Sequence, residues 1–288
     1  MELRSAIRAA VEAVTVPTCF TGRLPIAAGV PDLTAYDLIL VNTSAGKDSA
    51  LMAAYVTKLA TVAGVQDRVL AVHATFGEEW PGTEKLAVRQ CAALGIELVV
   101  VSRPENLLDY VERRGMWPSA GARFCTSEFK RAPIDKVITA RAPRAPKGSR
   151  LPRVLNCMGI RAQESTSRAT YAPYAPDARR SNTVRQVDEW LPIFAMPEAT
   201  LWAEIQRLGL EMHTAYTAGM PRLSCVFCVF APKAALLRAG ELQPDLLDRY
   251  VATEAKIGHD FKKGFKIASV REALARGERA SAIPAWEC

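Results

Sequence analysis

Along the chain, short unbroken apolar runs alternate with segments whose apolar residues recur at helical spacing. Asp37–Val41 (DLILV) is such a run, and its continuity predicts a strand buried on both faces, as in a parallel sheet. Small and polar residues fill Asn42–Asp48. From Ser49 to Ala63, Leu51, Ala54, Tyr55 and Leu59 share one helical face until Gly64 stops the pattern. Arg68–Ala74 (RVLAVHA) predicts a second strand, Thr83–Leu94 a helix ended by Gly95, and Glu97–Val101 (ELVVV) a third strand. Leu107–Arg114 and Pro133–Arg141 read as helices, Arg141–Pro152 as an exposed loop rich in Pro, Arg and Gly, and Val154–Gly159 as a further buried strand. Strand–helix alternation of this kind predicts an α/β protein with a doubly wound, mostly parallel sheet and helices on both faces.

The texture changes near Pro192. Leu201–Leu208 is helical and ends at Gly209, Pro221–Pro232 is a cysteine-bearing loop, and helices follow. The expected organisation is an N-terminal helix and loop (1–35), an α/β domain (36–191) and a smaller helical, cysteine-bearing C-terminal subdomain (192–288). In Met1–Val16, Leu3, Ile7, Ala10, Val11 and Val14 alternate with charged residues, which predicts an amphipathic helix rather than a signal peptide. No apolar run reaches the length of a membrane span, so a cytoplasmic protein with no membrane partner is expected.

Composition adds two points. The chain of 288 residues carries a net charge of +7, which suits a phosphate-bearing substrate and permits nucleic acid. Its 7 cysteines, without an export signal, are expected to be reduced thiols, leaving metal ligation, sulfur chemistry or core packing as their uses.

The strongest local signal is Thr43-Ser44-Ala45-Gly46-Lys47-Asp48-Ser49, between the first strand and its helix. A strand-to-helix turn offers unpaired helix N–H groups and the positive end of the helix dipole to a phosphate. Ser44 and Ser49 add hydroxyls, Gly46 allows close approach and Lys47 adds charge. This is not a Walker A loop, because Asp48 follows Lys47 and Val41 stands where that motif has its first glycine. It resembles instead the Ser-Gly-Gly-x-Asp-Ser pyrophosphate loop (PP-loop) of the N-type ATP pyrophosphatases, with Ala45 in place of a glycine.

Three later segments extend the resemblance. Arg123-Phe124-Cys125-Thr126 with Lys130 and Pro133 is similar to the Arg-x-Cys-Thr-…-Lys-x-x-Pro segment of the phosphoadenosine-phosphosulfate (PAPS) reductase family. Gly159-Ile160-Arg161 with Ser165 and Arg168 resembles that family's Gly-Ile/Leu-Arg-…-Ser-x-x-Arg segment. Tyr216, Gly219 and Cys225-Val226-Phe227-Cys228 resemble its Tyr…Gly…Cys-x-x-Cys element. The order is the family's, over about Asp37 to Phe230, and the pattern is closest to the ATP pyrophosphatases of DNA phosphorothioation. The resemblance implies an adenine nucleotide alpha hydrolase-like fold binding ATP with Mg2+.

Residue by residue, it implies nucleotide contacts at Ser44, Ala45, Gly46, Lys47, Asp48 and Ser49, at His73 on the second strand, and at Lys130, Arg161 and Arg168. Lys47, Asp48, Cys125 and Arg161 are the candidate catalytic residues. On chemistry alone, Arg forks suit phosphate or sulfate, while pairing of Arg161 or Arg168 with Glu164 or Glu128 is the plain alternative. Glu78 and Glu79 offer oxygens for Mg2+ or simply form a solvated helix start. Some members of the family hold a 4Fe-4S cluster; here Cys125, Cys225 and Cys228 match three of its ligands, and Thr126 stands at the fourth. Fe-S, Zn2+ and free thiols remain open for these three. Cys19, Cys91 and Cys157 are expected in packing roles, and Glu287-Cys288 echoes half of the reductases' C-terminal element.

The expected function is ATP pyrophosphatase-type adenylation of an acceptor with pyrophosphate release, within a sulfur-transfer reaction. A nucleic-acid phosphate is the candidate acceptor and a protein such as a cysteine desulfurase the candidate sulfur donor. The alternatives are a PAPS or APS reductase producing sulfite, and a non-catalytic nucleotide- or nucleic-acid-binding module.

Overall fold

A computed structural model describes residues 30–146 and 148–283. The expected N-terminal helix, Cys19 and the Glu287-Cys288 pair lie outside the described residues. The elements in order are β1 (Leu38–Asn42), α1 (Lys47–Val62), β2 (Val69–Thr75), α2 (Thr83–Leu94), β3 (Glu97–Ser102), α3 (Leu107–Arg114), α4 (Ala132–Arg141), β4 (Arg153–Met158), β5 (Tyr174–Pro176), β6 (Gln186–Trp190), α5 (Glu198–Arg207), α6 (Thr214–Thr217), α7 (Lys233–Leu242), α8 (Pro244–Ile257) and α9 (Ala268–Ala275). Every strand and helix expected from Asp37 up to β4 is present, with ends shifted by a residue or two. Among the described residues no helix is long and apolar enough to cross a membrane.

The strands form one sheet in the order β3-β2-β1-β4-β6-β5. β1 runs parallel to β2 and to β4, with Val41 opposite Ala71 on one side and Cys157 on the other. β4 runs parallel to β6, and β5 closes the edge antiparallel to β6. The apolar runs of β1, β2 and β4 are buried almost throughout, as expected of strands covered on both faces. Strand order turns outward in opposite directions from β1 and β4. That pair is the topological switch point, where the loops leaving the carboxyl ends diverge and leave a crevice.

β5 and β6 are not foreseen by the apolar pattern. β5 is three residues ending in Pro176, and β6 carries Asp188 and Glu189. Asp188 is buried because its carboxylate accepts hydrogen bonds from Tyr36 Oη (2.8 Å) and Arg153 Nη2 (2.8 Å), so a charge sits where an apolar residue is ordinarily required.

The chain divides into two compact units that interleave in sequence. One comprises the chain up to His73, Ala87–Val99 and Asp135–Glu211; the other comprises Ala74–Leu86, Val100–Ile134 and the chain from Met212. The first unit retains α5, whose buried Glu204 accepts a hydrogen bond from Tyr55 of α1 at 2.9 Å. The C-terminal helices therefore do not form the second unit alone. They share an apolar core with Phe76, Trp80, the α3 residues Leu107, Leu108, Tyr110 and Val111, Phe124 and Phe129.

Candidate functional site

In the first unit, the turn after β1 is built mostly from its own polar groups. Ser44 N donates to Ser49 Oγ (3.1 Å), Ser49 Oγ donates to Gly46 O (3.1 Å), and Ala45 N donates to Thr43 Oγ1 (3.1 Å). The Ser44 and Ala45 amides and the Ser49 hydroxyl, expected to face a phosphate, thus brace the turn itself. What the turn presents is the start of α1. Gly46 is its N-cap and makes no side-chain cap hydrogen bond, so the positive dipole end of the helix lies beside the exits of β1 and β4 without a capping side chain.

Ala45 has φ +57°, the one non-glycine residue with positive φ among those described, and it is fully buried. The left-handed conformation is the one a glycine adopts freely, and an alanine holds it against about 1 kcal/mol of strain. The substitution of Ala for the pattern's Gly therefore leaves the turn's conformation intact. Two further groups hold it. His73, with no exposed surface, places Nδ1 3.0 Å from Thr43 O, and Gln90 Nε2 lies 3.5 Å from Ala45 O. His73, expected at the nucleotide, lies against the backbone of the turn.

The cations beside the helix start are buried. Lys47 is 3% exposed and Arg161, which follows β4, is 2% exposed. Arg161 Nε donates to Asp48 Oδ1 at 2.5 Å, Lys47 Nζ lies 3.8 Å from Asp48 Oδ2, and Glu198 at the start of α5 lies 3.5 Å from Lys47 and 4.0 Å from Arg161. Arg161 also donates through Nη1 to Gln163 Oε1 (3.3 Å) and Met196 O (3.4 Å). Two cations and two carboxylates thus converge on one helix N-terminus. The pairing of Arg161 is not with Glu164: that carboxylate accepts the Arg161 amide (2.9 Å) and pairs with Arg168 Nη1 (2.5 Å). Arg168 therefore fixes the 161–168 turn in this structure.

Gly159 explains why this segment can reach the helix start. A Cβ there would stand 2.9 Å from Asp48 C, Asp48 O and Ser49 N, all backbone atoms that cannot move aside cheaply. Gly159→Ala is accordingly expected to push β4's exit away from α1. The protein should lose about 2 kcal/mol, within the range for overpacking, as read by urea denaturation.

In the second unit the Cys-x-x-Cys loop is anchored by its middle. Val226 and Phe227 are buried, Phe227 packs on Tyr250 at 5.0 Å, and Tyr250 stacks on Trp117 at 5.4 Å. Cys225 pairs with Glu79 in an antiparallel bridge, and Val226 N donates to Glu78 O at 3.0 Å. Cys125, Cys225 and Cys228 are all half-buried against the same aromatic core. Among the described residues, however, no three His, Cys, Asp or Glu side chains converge as a metal-binding group. The donor set does not fit a cluster as it stands.

Lys130 belongs to the second unit as well, where its Nζ lies over the Phe76 ring at 5.1 Å, on a π-helical turn spanning Ser127–Arg131. Glu78 is not a solvated helix start. It is 1% exposed, and burial pushes its carboxyl up to about 7. Cys91 and Cys157 are buried packing thiols, with Cys91 pushed up to about 11 by burial and Cys157 raised further for the same reason. The sequence had given no reason to single out Glu198, Gln163 or Glu78's burial.

Comparison with known proteins places this arrangement in context. An uncharacterised protein of Methanocaldococcus jannaschii is 25% identical over 224 residues, 76% of this chain and 49% of that protein. An uncharacterised protein of Escherichia phage 186 is 27% identical over 199 residues, 66% of this chain and 56% of that protein. The chain spans about half the length of these curated relatives. Among solved structures, phosphoadenylyl-sulfate reductase from Candida auris in a phosphate complex aligns with a TM-score of 0.42 at 13% identity, covering 77% of this chain and 95% of that one. A tRNA thiolase of Methanococcus maripaludis, solved with its 4Fe-4S cluster, aligns with a TM-score of 0.41 at 14% identity, covering 96% and 81%. Residues 38–231 match the phosphoadenosine phosphosulfate reductase domain, a stretch that opens at β1, takes in Lys47, Asp48 and Arg161, and closes just after Cys228. The chain belongs to the phosphoadenosine phosphosulfate reductase domain family.

Proposed function

We propose that the chain binds ATP at the start of α1 and transfers its adenylyl group to an acceptor, releasing pyrophosphate. The observation that carries this reading is the convergence of two buried cations, Lys47 and Arg161, on an α-helix N-terminus at the sheet's switch point. Asp48 and Glu198 offset the two cations, and a polyphosphate would engage both charges and the helix dipole at once. Lys47 and Arg161 would hold the β- and γ-phosphates, Arg161 through its fork. Mg2+ would enter with the nucleotide, and Asp48 offers it a carboxylate oxygen.

In the reaction an acceptor oxygen attacks the α-phosphorus. The new P–O bond forms as the α–β anhydride breaks, and the electron pair leaves on pyrophosphate, whose charge Lys47 and Arg161 neutralise. A nucleic-acid phosphate as acceptor accords with the net charge of +7. Sulfur would arrive from a cysteine desulfurase-type donor as a persulfide on Cys125 or on one cysteine of the Cys225–Cys228 pair. Its outer sulfur attacks the adenylated phosphorus as AMP leaves. A second of these thiols then cleaves the S–S bond to release the thiolated product and forms a disulfide, and an external thiol reduces that disulfide.

Asp48→Ala is expected to reduce pyrophosphate release from ATP by about a hundredfold or more. The assay is phosphate-coupled detection with and without added nucleic acid. Turnover at the wild-type rate in this variant would refute the assignment. A second reading, favoured by the family the chain belongs to, is cleavage of a phosphosulfate nucleotide. It predicts sulfite from a phosphosulfate and a thiol, with no pyrophosphate from ATP.

A further inference from the structure

Glu198 stands apart from the other three charges of the site. Arg161 and Asp48 meet at hydrogen-bond distance, and Lys47 neighbours Asp48 on the same helical turn. Glu198 makes only the looser contacts, 3.5 Å to Lys47 and 4.0 Å to Arg161, and its side chain is 44% exposed. Its place is set through the backbone. Glu198 N donates to Gln163 Oε1 at 2.8 Å, and the same oxygen accepts from Arg161 Nη1. Upstream, Ala162 N donates to Phe194 O at 2.7 Å, tying the Arg161 turn to the segment that leads into α5. A carboxylate in the first turn of a helix is also favoured by that helix's dipole.

The chain therefore holds a carboxylate across two buried cations without gripping it. Three features define its role: the cations it bridges are almost wholly buried, its own side chain faces water on one side, and its contacts are long. We infer that Glu198 is a resident counter-anion. Its carboxylate takes the place between Lys47 and Arg161 that a phosphate group of the incoming ligand occupies, and it moves into solvent as the ligand binds. The inference rests on the polyphosphate reading of this site and assigns to Glu198 the control of affinity. The counter-anion offsets the cationic charge before a ligand binds and sets the threshold that a ligand's charge must exceed.

The test is isothermal titration of the full chain with inorganic pyrophosphate, without Mg2+ and at low salt, for the wild type and Glu198→Gln. Gln preserves size and the backbone contact to Gln163, and the exposed position tolerates the change. The variant should bind pyrophosphate about fivefold more tightly, the scale of one lost charge contact at a partly exposed pair. It should melt at a lower temperature in the absence of multivalent anions. The affinity gain should shrink as salt rises, because the lost contact is electrostatic; a merely structural role for Glu198 produces no such gain. Equal or weaker binding by the variant, alongside measurable binding by the wild type, overturns the counter-anion role and leaves the polyphosphate site standing. Absence of pyrophosphate and ATP binding in both proteins overturns the site reading and this inference together.

Discussion

Arg161→Met is expected to lower unfolding free energy by about 3 kcal/mol, the low end of what breaking a buried ion pair costs, since Asp48 keeps some contact with water. The variant should also lose ATP binding. Arg161 is 2% exposed, and its guanidinium touches Asp48, Gln163 and the Met196 carbonyl together. Methionine fills much of the volume but returns none of these hydrogen bonds. Asp48 then keeps only Lys47, at 3.8 Å. Chemical denaturation measures the first effect and titration with ATP the second. Arg161→Lys separates charge from geometry: it restores a cation without the planar fork. Stability should recover in part, while ATP affinity stays about tenfold or more below wild type. Wild-type ATP affinity in Arg161→Met would reduce Arg161 to a structural brace.

How much of this was readable beforehand differs from group to group. The turn at 43–49 was legible because its chemistry is local: a strand, small polar residues, Lys47, Asp48 and a helix occur in one stretch. The consequence of Ala45 was not, since only coordinates reveal that it adopts φ +57°. Arg161 was legible as a ligand-type residue in a Gly-Ile-Arg segment, but the reason for Gly159 was hidden. It lies in an approach to Asp48 and Ser49 that joins two strand exits far apart in sequence. Glu198 carried no signal because it is one more acid at a helix start, and its meaning comes from Lys47 and Arg161 across the turn. β5 and β6 escaped for the opposite reason. Their stability rests on Tyr36, Arg153 and Asp188 rather than on apolar alternation. The acidic pair Glu78-Glu79 reads as solvated in sequence, because nothing in its neighbours announces that distant helices will cover it.

Glu78 supplies the last prediction, a stability that depends on pH with a definite sign. Its Oε2 accepts from Leu107 N at 3.2 Å, Oε1 has no hydrogen-bond partner, and the cation at hand, Arg249, is 3.9 Å away and itself mostly in water. Burial therefore dominates and raises the carboxyl to about 7 from an ordinary value of 4.5, with the Leu107 amide and Arg249 opposing it. A raised carboxyl means that the folded protein keeps a proton which the unfolded chain gives up. Below about pH 4.5 both states hold it, and the group has no effect on the balance. Between 4.5 and about 7 the unfolded chain ionises while the folded one does not, so stability falls as pH rises. Above about 7 both are ionised and the loss levels off, at about 3 kcal/mol by the conversion of a pKa difference to free energy. Glu78→Gln removes the titration and keeps an acceptor for the Leu107 amide. The variant should match the wild type near pH 4.5 and exceed it by about 3 kcal/mol at pH 8. Taking the difference between two urea-denaturation series cancels every other titrating group, which both proteins share. A difference that stays constant across this range would mean that Glu78 is ionised in the folded state throughout, with a cation or water reaching Oε1.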